Sequence, residues 1–199
     1  MKTLKIGVTG GIGSGKSLVC SIFELYQIPV YYADDRAKGL MVSDISLVGE
    51  IVNLFGREAY LESGQLNRQN ISEQIFNDKE LLIKLNSLVH PAVHQDVSSW
   101  FQKQKSPYAI EEAALIIESG NHRAFDHIIL VSAPTELRID RVMKRNNLNR
   151  NSVLGRVNNQ STEQYKRKFA DIEIINDGKH SLVQQVAHFH HKLLLNIVN

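Results

Sequence analysis

Leu4-Lys5-Ile6-Gly7-Val8-Thr9-Gly10-Gly11-Ile12-Gly13-Ser14-Gly15-Lys16-Ser17 is the stretch on which the fold turns. Leu4–Val8 is short, apolar and partly β-branched, and it ends in Thr9-Gly10-Gly11, so it reads as a strand closed by a turn. After Gly15 the pattern changes. Leu18, Val19, Ile22, Phe23, Leu25 and Tyr26 recur at helical spacing, which predicts a helix beginning near Lys16. Gly10 to Ser17 fit G-x-x-x-x-G-K-[ST] completely, in the required place between strand and helix.

Glycines let that loop curl so that successive N–H groups converge on phosphate oxygens, and the helix N-terminus adds positive potential. Gly11, Ile12, Gly13, Ser14, Gly15, Lys16 and Ser17 are therefore the expected ATP-binding residues. Lys16 is placed to meet the β- and γ-phosphates, and the Ser17 hydroxyl to ligate Mg²⁺. The rival dinucleotide fingerprint G-x-G-x-x-G, counted from Gly11, needs a glycine where Lys16 stands, and so it fails.

Outward from the loop, Ile28–Tyr32 reads as a second strand, which completes a βαβ unit with parallel strands and a right-handed crossover. No convincing strand follows between Asp35 and Lys105, where apolar residues recur at helical spacing. Residues 35–105 are expected to be a helical substrate insertion. The core is then 1–34 with 106–199. Tyr108–Ile110, Ala113–Ile117, His127–Val131 and Ile172–Ile175 are its further strand-like runs. Helices are expected from Pro134-Thr135 to about Arg145 and over Ser181–Val198. The fold class is α/β, a three-layer α/β/α P-loop architecture with a parallel sheet.

Composition narrows the function. Hydrophobic residues at 43% and charged residues at 22% describe a soluble globule, and the 199 residues suit one domain with an insertion. The single cysteine, Cys20, excludes an intramolecular disulfide framework and fits a reducing compartment. Neither a targeting signal nor a membrane-length apolar run is found, so a cytoplasmic protein is expected. The net charge of +2 argues against a nucleic-acid binder. It is unevenly distributed: nine basic residues face three acidic ones between Glu136 and Lys168. Residues 138–168 therefore read as a basic lid suited to polyphosphate substrates.

A P-loop leaves open a small-molecule kinase, a GTPase switch and a motor or transport ATPase. The Asn-Lys-x-Asp segment usual in GTPases does not occur, and motor ATPases need a longer chain. A kinase also needs a carboxylate to orient the acceptor hydroxyl. Asp34, just after the second strand, is the candidate; without the P-loop it reads as a helix N-cap. His188, His190 and His191 lack the i, i+4 spacing of helical metal ligands and read as a solvated face. Cys20 reads as core. Trp100 and Phe101 read as packing of the inserted helices, with adenine stacking as the alternative.

Further residues resemble a known family, dephospho-CoA kinase. They are the Thr9–Ser17 loop, Tyr32-Ala33-Asp34 with Arg36-Ala37, Gly64-Gln65-Leu66-Asn67-Arg68, Ile75-Phe76 and Leu88-Val89-His90-Pro91. Leu115-Ile116-Ile117-Glu118-Ser119-Gly120, Arg141–Arg145, Arg156 with Gln160, Ala170-Asp171 and Asn176 continue the series. The resemblance implies transfer of the ATP γ-phosphate to the ribose 3′-hydroxyl of dephospho-CoA, with Mg²⁺. It implies Asp34, Lys16 and Arg145 as catalytic residues, with Arg145 and Asn176 at ATP. Asp34, His90, Glu118 and Arg156 fall on the acceptor side or in the lid. Tyr32, where the family's first Asp stands, Ala114, where a Pro is common, and Asn146, where an Asp often follows, depart from the pattern. A kinase for another nucleoside-like or small hydroxyl substrate, and a nucleotide-binding regulator, are the alternatives.

Overall fold

Strand β1 (Leu4–Thr9) is the centre of a five-stranded sheet, and its inward residues Ile6 and Val8 are fully buried. The computed structural model describes residues 3–198, the side chains of residues 77, 79 and 196–198 aside. With β2 (Val30–Tyr32), β3 (Tyr108–Glu112), β4 (His127–Ser132) and β5 (Ile172–Ile175), the sheet order is β2-β3-β1-β4-β5. β1 pairs in parallel with β3 and β4, and β4 with β5. Continuous apolar runs such as Ile128–Val131 are what a parallel strand covered on both faces requires. The chain leaves β1 for β2, which lies on β3's far side, so β1 borders the switch point of the sheet. Ligands in open α/β sheets sit there, beyond the carboxyl ends of the strands.

Helix α1 (Lys16–Leu25) begins where expected. Its buried stripe is Val19, Cys20, Ile22 and Phe23, whereas Leu18 and Leu25 are exposed, so the apolar face is narrower than the spacing alone suggests. Burial pushes the Cys20 thiol up, and it stays a core residue.

Two compact units make up the chain, Met1–Tyr31 with Lys103–Asn199, and Tyr32–Gln102. The second unit is helical: α2 (Ala33–Ser43), α3 (Ile45–Phe55), a short 3₁₀ turn at Arg57–Ala59, α4 (Arg68–Asn77) and α5 (Lys79–Gln102). Asp44 caps α3 by accepting from the Ser46 and Leu47 amides, and Asn67 caps α4 through the Asn70 amide. Leu47, Ile51, Phe55, Ala59, Ile71, Leu85 and Val89 form its core. Arg36 clamps Asp96 with bonds of 2.8–2.9 Å, tying α2 to α5. Among the described residues, 35–105 contain no strand beyond an isolated Tyr60–Leu66 bridge. Pro91 does not end a helix. It lies inside α5, which runs unbroken past His90 although Pro91 cannot donate to the Ser87 carbonyl. Trp100 and Phe101 touch edge to face at 5.1 Å.

In the first unit the chain continues through α6 (Thr135–Asn146), α7 (Arg150–Asn158), α8 (Glu163–Arg167) and α9 (Leu182–Val198). Two sequence expectations need correction. Ala113–Ile117 is a turn rather than a strand: β3 already ends at Glu112, and Ile116 and Ile117 bury into a small cluster with Ile128. The α9 histidines are not one solvated face, because His190 is buried. Its Nδ1 lies 2.7 Å from the Tyr108 hydroxyl and its ring stacks on Tyr26. A ring can supply this apolar surface and one polar contact together, so spacing alone did not separate it from its exposed neighbours.

Candidate active site

Gly15 caps α1 in the left-handed conformation, φ +94°, and a Cβ there would strike the Asn176 side-chain amide. Gly11 has no space for a Cβ either, because the Arg138 guanidinium packs against it. These two contacts pack the loop backbone against Arg138 and Asn176 with no room for a side chain at either glycine.

Braces hold it from several directions. The Ile12 amide donates to Gln160 Oε1 at 2.7 Å, and the Ile12 carbonyl accepts from Arg138 Nε at 3.0 Å. Arg138 is buried and pairs with Glu163 at 3.1 Å. Asn176 Nδ2 donates to the Ser14 carbonyl at 2.7 Å, while its Oδ1 accepts from Arg141 at 3.1 Å. Both the Nδ2 and the Oδ1 of Asn176 are thus engaged by protein groups that brace the loop. Ser14 is fully buried and its Oγ has no hydrogen-bond partner.

Lys16 opens α1 with Nζ 3.2 Å from the Gly10 carbonyl and 3.6 Å from Glu112 Oε1. Ser17 Oγ donates to Glu112 Oε2 at 3.3 Å. Glu112 is a residue that sequence reasoning missed. The available signal was its position, the last residue of a strand paired with the loop's own strand at Val8↔Glu112. Consecutive strand residues face opposite sides, so Glu111 points away from the loop. Burial pushes its carboxyl up to about 7, against the field of Lys5.

The remaining expected residues are spread more widely. Glu118 does not end a strand; it lies in the turn after β3, where Oε1 pairs with Lys166 Nζ at 2.9 Å and accepts from the Ser161 amide. Arg145, in the last turn of α6, is exposed with Nε on Asn146 Oδ1, and Arg156 is exposed on α7. Asp34 and His90 belong to the second unit, Asp34 exposed in the first turn of α2 and His90 exposed on α5. Of the nine basic residues in 138–168, Arg138 and Lys166 are buried ion-pair partners rather than solvated lid charges. Charge counting cannot see that difference.

A phosphate cradle between β1 and α1 of a parallel sheet, furnished with a lysine, a hydroxyl and a strand-end carboxylate, defines a P-loop phosphotransferase. The family model described as dephospho-CoA kinase matches residues 4–181. The dephospho-CoA kinase of Bacteroides fragilis is 34% identical over 184 residues, covering 92% of this chain and 89% of its own. That of Bacillus licheniformis is 35% identical over 198 residues, 96% of each. A crystal structure from Thermus thermophilus superposes with a TM-score of 0.84 at 30% identity, covering 96% of this chain and 98% of its own. Shikimate kinase from Acinetobacter baumannii, at 16% identity and a TM-score of 0.52 over 98% of this chain and 94% of its own, shares the fold. The chain belongs to the dephospho-CoA kinase family. It is accordingly a kinase of CoA biosynthesis that phosphorylates dephospho-CoA with ATP. Among the described residues no helix is long and apolar enough to cross a membrane.

Proposed function

We propose that the protein moves the γ-phosphoryl group of ATP onto the ribose 3′-hydroxyl of dephospho-CoA, releasing CoA and ADP, with the loop, Asp34 and Arg145 in the leading roles. The observation that carries this reading is the convergence of Lys16, Ser17 and Glu112 at the mouth of the loop. The backbone amides of Gly13, Gly15, Lys16 and Ser17 hold the β-phosphate, and Lys16 bridges toward the γ-phosphate. The acceptor oxygen attacks the γ-phosphorus, the bond to the β-bridging oxygen breaks, and the hydroxyl proton passes to Asp34. Arg145 and Arg156, both exposed, meet the charge on the transferring group. His90 belongs to the acceptor side.

The donor set suits Mg²⁺. Ser17 Oγ and the Glu112 carboxylate are hard oxygen donors placed together, and no cluster of three or more His, Cys, Asp or Glu exists among the described residues to cage an ion. A cation held by two protein oxygens and completed by phosphates and water is the usual arrangement for Mg²⁺. When bound, Mg²⁺ would neutralise the β- and γ-phosphate oxygens. The partners are small molecules in the cytoplasm, with no nucleic acid or membrane.

A coupled ADP-release assay with ATP and dephospho-CoA tests the reading, with other nucleosides and small alcohols in parallel. Turnover of dephospho-CoA is expected. Turnover of another acceptor while dephospho-CoA fails would overturn the assignment, and normal ATP use by Lys16→Ala would overturn the phosphate site.

A further inference from the structure

Lys166 has no part in the reading above, yet it is fully buried beside the loop. Its Nζ donates to Glu118 Oε1 at 2.9 Å and to the Ala114 carbonyl at 3.1 Å. That same carbonyl accepts from Thr9 Oγ1 at 3.2 Å, and Thr9 is the residue immediately before Gly10. Glu118 Oε1 also accepts from the Ser161 amide at 3.1 Å, and the neighbouring Gln160 holds the Ile12 amide. Two strings of contacts therefore leave one ammonium. One reaches the entry of the loop through Ala114 and Thr9. The other reaches its crown through Glu118, Ser161, Gln160 and Ile12. Ala114 lies two residues after Glu112, and Ala113 N bonds the Val8 carbonyl, so the first string also sets where Glu112 leaves the sheet.

The electrostatics agree. Burial lowers the pKa of Lys166, Glu118 opposes that shift, and the charges of Lys16 and Arg138 both reach it. A buried ion pair is a poor means of gaining stability, because replacing both partners by neutral groups of similar shape is often neutral or better. An ammonium retained at full burial, fixing three backbone segments around a phosphate cradle, has a better explanation in geometry. Glu118 Oε2 is itself buried with no hydrogen-bond partner.

We infer that Lys166 is a positioning residue for phosphoryl transfer: through Ala114–Thr9 and Glu118–Ser161 it holds the entry and the crown of the phosphate loop in register with Glu112. Glu118 acts through Lys166 in this arrangement, not by touching substrate from a strand end. The inference rests on the kinase reading.

The test removes the pair without stranding a charge. In Lys166→Met/Glu118→Gln the thermal midpoint is expected to stay within a few degrees of wild type and the ATP dissociation constant within about threefold, because the backbone cradle remains. Single-turnover transfer to dephospho-CoA is expected to slow by roughly 10–100-fold, the penalty typical of a lost supporting shell. Lys166→Arg, which keeps the charge and a donor, should recover part of the rate. A double variant that folds, binds ATP and transfers at the wild-type rate overturns the inference. So does a rate that falls only in proportion to the folded fraction. Should the double variant not fold, Glu118→Gln alone carries the test, and unchanged transfer again overturns it. Wild-type protein that leaves dephospho-CoA unphosphorylated sinks the kinase reading and the inference with it; wild-type turnover beside an equally fast variant sinks the inference alone.

Discussion

The Glu112 carboxylate lies 3.3 Å from the Ser17 hydroxyl, joining the end of β3 to the first turn of α1. Its other oxygen is 3.6 Å from Lys16 Nζ. This strand-end acid meets the two residues that follow the loop glycines. Glu112→Gln keeps the shape and removes the charge. It should raise the Mg²⁺ concentration needed for half-maximal activity by roughly 10–100-fold, while nucleotide binding without metal strengthens or stays level. A metal titration of initial rates checks this.

Asp34→Asn should leave the KM for ATP nearly unchanged and lower kcat by roughly 10²–10⁴, the range of a lost general base. Steady-state rates in both substrates make the measurement. Near-wild-type kcat would remove Asp34 from the mechanism.

Asn176→Ala deletes a buried amide that satisfies the Ser14 carbonyl and Arg141 together. Leaving those partners unmet should cost about 1–3 kcal/mol in urea unfolding. ATP affinity should fall with it, because the loop loses the contact that Gly15 was shaped to admit.

Glu111 gives a pH dependence whose sign is fixed. In the unfolded chain its carboxyl ionises in the ordinary range, whereas in the fold burial holds the proton up to about 7. Between these values the unfolded state binds fewer protons, so the stability contributed here is present at low pH and lost as pH rises toward 7. The swing from pH 5 to pH 8 should be roughly 2–3 kcal/mol. Glu111→Gln should flatten that part of the profile in chemical denaturation at the two pH values. An unchanged profile would show that Glu111 titrates normally.

What the sequence discloses about this protein follows the range of each signal. The loop, α1 and the long helical stretch of 35–105 are written in local spacing, and each was legible. Glu112 and Lys166 were not, because their importance lies in partners 95 and 48 residues away along the chain, at Ser17 and Glu118. His190 and Pro91 mark a second kind of miss. The histidine pattern promised water, and an X-Pro pair such as His90-Pro91 ordinarily marks a helix boundary, but tertiary packing overrode both. Ala113–Ile117 marks a third, since an apolar run marks burial whether or not the backbone joins the ladder.

Lys16, Arg138 and Lys166 each already hold a carboxylate: Glu112, Glu163 and Glu118. An incoming polyphosphate that drew Lys16 toward itself would weaken its 3.6 Å pairing with Glu112, and loosening a buried ion pair is unfavourable. A nucleotide that arrived already carrying a divalent cation would offset that cost as it took the lysine. On the proposed reading, the pairing would favour the metal-loaded nucleotide over bare triphosphate before any chemistry begins.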